Sequence, residues 1–129
     1  LSLINAVIVS AAIASAGVFT STTANAAQGD AKRGDKLFEE CRTCHSVKAG
    51  EHGVGPSLQA VIGRKAGALD DFRYSPQLKR SNLTWNAKTL DAFIADPQQV
   101  VPANRMPYSG MPDPKNRADL IEYLMQVAK

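Results

Sequence analysis

The chain has two cysteines, Cys41 and Cys44, and His45 directly follows the second in the pentapeptide Cys41-Arg42-Thr43-Cys44-His45. Two thiols at this spacing can each add to one vinyl group of a single haem, and the adjacent imidazole can bind its iron. One short segment thus supplies two covalent tethers and one axial ligand. The same spacing also occurs in dithiol redox pairs and in half-sites for zinc. A zinc site needs further ligands, yet the only other histidine is His52 and there is no third cysteine. A thioredoxin-like pair would sit in a strand-helix-strand context that this sequence lacks. The residues point to covalent attachment of one haem c, cycling between Fe2+ and Fe3+.

His45 leaves one coordination position on such an iron, and its occupant separates an electron carrier from a gas-binding or peroxide-reacting site. Met106, Met111 and Met125 offer thioethers. Met125 falls in a helical pattern, where methionine is more often core filler than ligand. Met106 and Met111 both lie in a proline-rich loop of the kind that can wrap a haem face. Residue chemistry favours that loop without separating the two.

No charged residue precedes Asp30 in the chain of 129. The apolar run Ala6–Ala14, the small polar residues after it and the small-x-small triplet Ala24-Asn25-Ala26 read as a signal peptide over 1–26, cleaved after Ala26. The chain opens on Leu1 without a positive n-region, so the start of that leader is expected to precede it. The apolar part is shorter than the ~20 residues of a spanning helix. An uncleaved leader tethering the protein to the inner membrane is the alternative. Export suits covalent haem attachment, which in bacteria takes place outside the inner membrane, and it places the protein in the periplasm. Residues 27–129 then form one small domain, whose modest core a large apolar cofactor would extend. The 15 basic and 12 acidic residues give a net charge of +3 and are interspersed, a pattern that argues against nucleic-acid or strong membrane binding.

The pattern after the leader is helical. Asp30 caps a first helix through Gly34, Leu37 and Phe38 to the cysteine motif. Between Ser46 and Ser81 glycines and prolines predict loops with at most short helices. Asn86 caps the next helix, with Trp85 and Leu90 placed as a hydrophobic staple and Leu90, Phe93 and Ile94 as its apolar stripe. Asp96-Pro97 ends it and opens a further short turn or helix. After an irregular stretch from Val100 to Pro112, Asp113-Pro114 opens a last helix carrying Leu120, Ile121, Leu124 and Val127. No segment alternates with a period of two, so the fold class is all-α.

From Gly29 to Lys129 the chain resembles the class I c-type cytochromes, above all bacterial periplasmic carriers similar to mitochondrial cytochrome c. The resemblance rests on Gly29-Asp30, Gly34, Phe38, the haem motif, Gly55-Pro56, Gly63-Arg64-Lys65, Tyr74, Thr84-Trp85, Pro97, Arg105-Met106-Pro107-Tyr108-Ser109-Gly110 and Arg117 to Leu124. It implies several helices wrapped around one haem, with the first and last helices crossing at Gly34, Phe38, Leu120 and Tyr123. It implies His45 and Met106 as the iron ligands, with Met111 a loop residue near the haem edge. Arg64, Tyr74, Trp85 and Asn104 are implied as donors to the haem propionates. His52 is implied as a structural histidine tying two loops, and the Pro56 carbonyl as acceptor for the His45 imidazole.

Two departures dry the expected pocket: Phe93 stands where mitochondrial relatives have Tyr, and Leu78 where they have Asn. The resemblance implies a monomeric, non-enzymatic one-electron carrier. Its donor would be a quinol:cytochrome c oxidoreductase and its acceptor a terminal oxidase, reductase or photosynthetic reaction centre. Where mitochondrial relatives carry docking lysines this chain has Gly53, Gln98, Pro112 and Asp113, and Glu39 and Glu40 precede Cys41. The expected docking surface is therefore more apolar, with Tyr108, Met111 and Pro112 at the contact, and Arg42 and Arg105 as the main basic residues nearby.

Overall fold

The computed structural model describes residues 28–129; the leader expected over 1–26 and its cleavage point lie outside the described residues. Five helices follow in order: α1 (Ala31–Arg42), α2 (Pro76–Arg80), α3 (Ala87–Ala95), α4 (Pro97–Val100) and α5 (Pro114–Val127). Among the described residues the extended pairing amounts to isolated bridges between His45 and His52 and between Lys65 and Thr84. The all-α expectation holds. No helix of the described residues is long and apolar enough to cross a membrane.

Local chemistry explains where the helices begin. The Asp30 carboxylate accepts from the backbone N–H groups of Lys32 at 2.9 Å and Arg33 at 3.2 Å, satisfying donors that the first turn of α1 leaves free. Asp113 does the same for α5 through Lys115 and Asn116, and Pro114 occupies the first helical position, where a missing N–H is harmless. Asn86 and Thr89 form a reciprocal capping box at the start of α3. The flanking Trp85 and Leu90 are both buried, as the staple requires. Asp96 ends α3 and caps α4 through Gln99 N–H at 3.0 Å.

The crossing of α1 and α5 is the frame of the molecule. Phe38 and Leu120 are each 1% exposed, and the Phe38 and Tyr123 rings pack with centroids 5.3 Å apart. Asp119 is equally buried: its carboxylate accepts from Asp30 N–H at 2.6 Å and pairs with Arg33 at 2.9 Å and Lys115 at 3.5 Å. A buried carboxylate is tolerated because these partners compensate its lost hydration. The hydrophobic core runs from this crossing through Leu90, Phe93 and Ile94 of α3 to Trp85 and Val61 in the long loops. Met125, read as helical core filler, is instead 44% exposed on α5. It lies off the helix stripe that Leu120, Ile121 and Leu124 bury.

Candidate functional site

The cysteine motif sits where α1 ends. Cys41 is in the last turn, and its carbonyl accepts from both Cys44 N–H at 3.0 Å and His45 N–H at 2.9 Å, a tight turn that brings the second thiol and the imidazole round to the side of the first. Both thiols are unpaired and partly buried. Burial, with help from Glu40 and Cys44, pushes the Cys41 thiol up to about 11. A dithiol redox pair needs the opposite, a thiolate stabilised near neutral pH.

His45 is held from two sides. Its Nδ1 donates to the Pro56 carbonyl at 2.7 Å, which leaves the Nε2 lone pair for a metal. Burial, reinforced by the nearby Arg64 charge, holds the ring below the ordinary histidine range and so keeps it neutral. Gly55 lies against the imidazole, where a Cβ would run into the ring, and its N–H donates to the Cys44 carbonyl at 2.9 Å. His52 stands apart from the cavity and serves the loops: its Nδ1 accepts from Ser57 N–H at 2.9 Å, and its Nε2 lies 3.0 Å from Asp71.

Cys41, Cys44, His45, Arg64, Tyr74, Trp85, Asn104 and Met106, spread over 66 positions of sequence from 41 to 106, all line one cavity of about 430 Å³. The rest of its wall is largely apolar and includes Phe38, Leu58, Val61, Leu78, Leu90, Phe93, Ile94, Leu120 and Leu124. Phe93 and Leu78, the two departures read as drying the pocket, are both on that wall. The methionines separate as well. Met106 lines the cavity, whereas Met111 is 7% exposed in the core, with its N–H bonded to the Ile94 carbonyl at 2.8 Å. Met111 is therefore neither at the cavity edge nor available to a docking partner, a correction to the sequence reading.

The proposed propionate donors differ in what they have free. Arg64 donates from Nη1 to the Gln59 carbonyl at 2.8 Å and from Nη2 to the Ser57 carbonyl at 2.9 Å, while its Nε is buried without a partner. A partly buried guanidinium on an apolar wall, with a buried and unanswered Nε donor, fits an anionic group in the cavity. Tyr74 and Trp85 are buried on the same wall and bring further polar hydrogens. Asn104 is different: both of its amide hydrogens go to backbone carbonyls, Pro97 and Val101, at 2.8 Å each. None is left for a propionate in this arrangement. The apolar cavity, the two free thiols, the neutral imidazole and the partnerless Arg64 donor together fit a covalently bound haem.

Sequence reasoning missed several supporting contacts. Arg117 donates to Asp91 on α3 at 2.7 Å and to the Met111 and Pro112 carbonyls at 2.8 Å each, fixing the far end of the methionine loop. The pair with Asp91 joins distant segments, and no local pattern announces it. Ser75, on the cavity wall, caps α2 through Leu78 N–H at 3.1 Å; the Ser75-Pro76 pair was a legible helix start. Tyr108 also lines the cavity, and burial, with Glu40 and Cys41 nearby, pushes its phenol up to about 12.

A family model described as Cytochrome c matches residues 31–128. The chain is 48% identical over 87 residues to a cytochrome c2 iso-2 of Magnetospirillum fulvum, covering 67% of this chain and 91% of that protein. It is 40% identical over 114 residues to a cytochrome c2 of Rhodomicrobium vannielii, covering 88% and 90%. Among solved structures it is similar to cytochrome cH from Methylobacterium extorquens, with a TM-score of 0.71 and 43% identity over 75% of this chain and 98% of that one.

Proposed function

The chain belongs to the cytochrome c family, an electron-carrying family with one covalent haem c, and from that membership we propose that it is a periplasmic one-electron carrier whose iron is held by His45 and Met106. When bound, the haem supplies an iron that cycles between ferrous and ferric states. The protein's own residues do the rest. Cys41 and Cys44 tether the macrocycle at the end of α1. The Pro56 carbonyl holds the His45 ring in one tautomer and one orientation. The cavity wall excludes water, and Arg64, Tyr74 and Trp85 offer hydrogens to the propionates.

The observation that carries this reading is the presence of Met106 in the same cavity as Cys41, Cys44 and His45 while Met111 is packed elsewhere. A thioether that stays on the iron in both oxidation states closes it to substrates and keeps rearrangement small during electron transfer. The donor we propose is a quinol:cytochrome c oxidoreductase, and the acceptor a terminal oxidase, reductase or photosynthetic reaction centre. The test is to expose the ferrous protein to carbon monoxide after a reversible potentiometric titration. A one-electron wave and an unchanged spectrum are expected; rapid carbon monoxide binding at neutral pH would favour a gas-binding site with an open position.

A further inference from the structure

The methionine loop starts from an unusual piece of backbone. After α4 and the turn at Val101, Ala103 adopts φ +61°, a left-handed conformation that is strained for a residue with a Cβ. Asn104 follows, 9% exposed, and its side chain reaches three backbone groups. Nδ2 donates to the Pro97 and Val101 carbonyls, and Oδ1 accepts from the N–H of Met106, all at 2.8 Å. The partners fix the orientation of the amide, since carbonyls can face only its nitrogen and an N–H only its oxygen. Gln98 brackets the same strained step from outside, donating to the Asn104 carbonyl at 3.2 Å and accepting from Ala103 N–H at 3.1 Å.

We infer that Asn104 is a positioning residue for the sixth iron ligand: its amide locks the main chain at Met106 to the end of α4 and thereby sets how readily the thioether leaves the iron. The inference rests on Met106 being that ligand. An amide making three bonds to buried or partly buried backbone cannot be removed without leaving those groups unpaired, and the loop then gains freedom at the residue that bears the sulfur. The consequence appears in retention of the ligand rather than in electron transfer as such.

Imidazole titrated into the ferric protein competes with Met106 and reads that retention directly. Asn104→Ala is expected to raise imidazole affinity at least tenfold. Gln98→Ala, a surface change that leaves the amide in place, is expected to raise it at least twofold. Ile121→Val, a core change on α5 away from the cavity wall, lowers the thermal midpoint but leaves imidazole affinity unchanged, which separates positioning from general destabilisation. If Asn104→Ala binds imidazole within twofold of the wild type while the pH dependence of its potential shifts, Asn104 serves a propionate and the proposal is wrong. Should Asn104→Ala fail to mature with haem, Gln98→Ala decides: unchanged affinity there overturns the proposal. A wild-type ferric protein without a Met-to-iron charge-transfer band would sink the Met106 reading itself, and this inference with it.

Discussion

Gly34 of α1 meets Asp119 of α5 backbone to backbone: a Cβ on Gly34 would fall on the Asp119 carbonyl and against the Cβ of Tyr123. This close approach seats Phe38 and the α5 residues Leu120 and Leu124 on the cavity wall. In an open helix Gly→Ala is stabilising by about 1 kcal/mol. Here the sign reverses. Gly34→Ala is expected to destabilise the haem-bearing protein by about 1–3 kcal/mol, the usual cost of overpacking, read as a lower guanidinium midpoint. An unchanged or raised midpoint would mean that the helices slide apart without penalty.

Acid stability depends on the same crossing. The Asp30 N–H, with Arg33 and Lys115, holds the Asp119 carboxyl below the usual carboxylate range. A depressed carboxyl contributes stability that is present above its unfolded value of about 3.9 and is lost as pH falls through its lower folded value. Asp119→Asn should therefore cost about 1–3 kcal/mol at pH 7, the worth of hydrogen bonds to a charged group. The gap to the wild type should narrow below pH 4. Denaturation curves at pH 7 and pH 3 check this; a gap that is constant with pH would exclude a charge-based role.

The starts of α1, α3, α4 and α5 were legible in the sequence because each cap is local: Asp30, Asn86, Asp96 and Asp113 act on N–H groups two or three residues away. The haem motif was legible for the same reason, being five consecutive residues. What escaped depends on how loops without a periodic pattern fold back on themselves and on their neighbours. Met111 and Met106 look alike in a proline-rich loop until the Ile94 carbonyl and Arg117 pin the former into the core. The resemblance implied a propionate role for Asn104, and the return of the chain after α4 commits its amide to backbone. The resemblance implied the same role for Arg64, and the fold leaves one of its donors without a partner.

The docking edge makes a further prediction. The charged side chains on the cavity lining are Glu40, Arg64, Arg73 and Arg105, with no lysine among them. Arg42 is engaged with Asp35 at 3.1 Å and Glu39 at 3.3 Å. The apolar contacts fall to Val54, 72% exposed, and to Pro107 and Tyr108, which also line the cavity. Electron exchange with the native partner should then fall less steeply with added salt than that of a lysine-ringed mitochondrial-type cytochrome with its own partner. Equal slopes over a salt series from ~10 mM to ~200 mM would show that a basic ring surrounds this edge after all.

Ligation by His45 and Met106 is the centre of the account, and the near-infrared Met-to-iron charge-transfer band of the ferric protein tests it most directly. The wild type is expected to show the band. Met106→Ala should abolish it, lower the potential and open the iron to small ligands, while Met111→Ala, which alters only core packing, keeps it. Loss of the band in Met111→Ala with its retention in Met106→Ala would contradict the assignment.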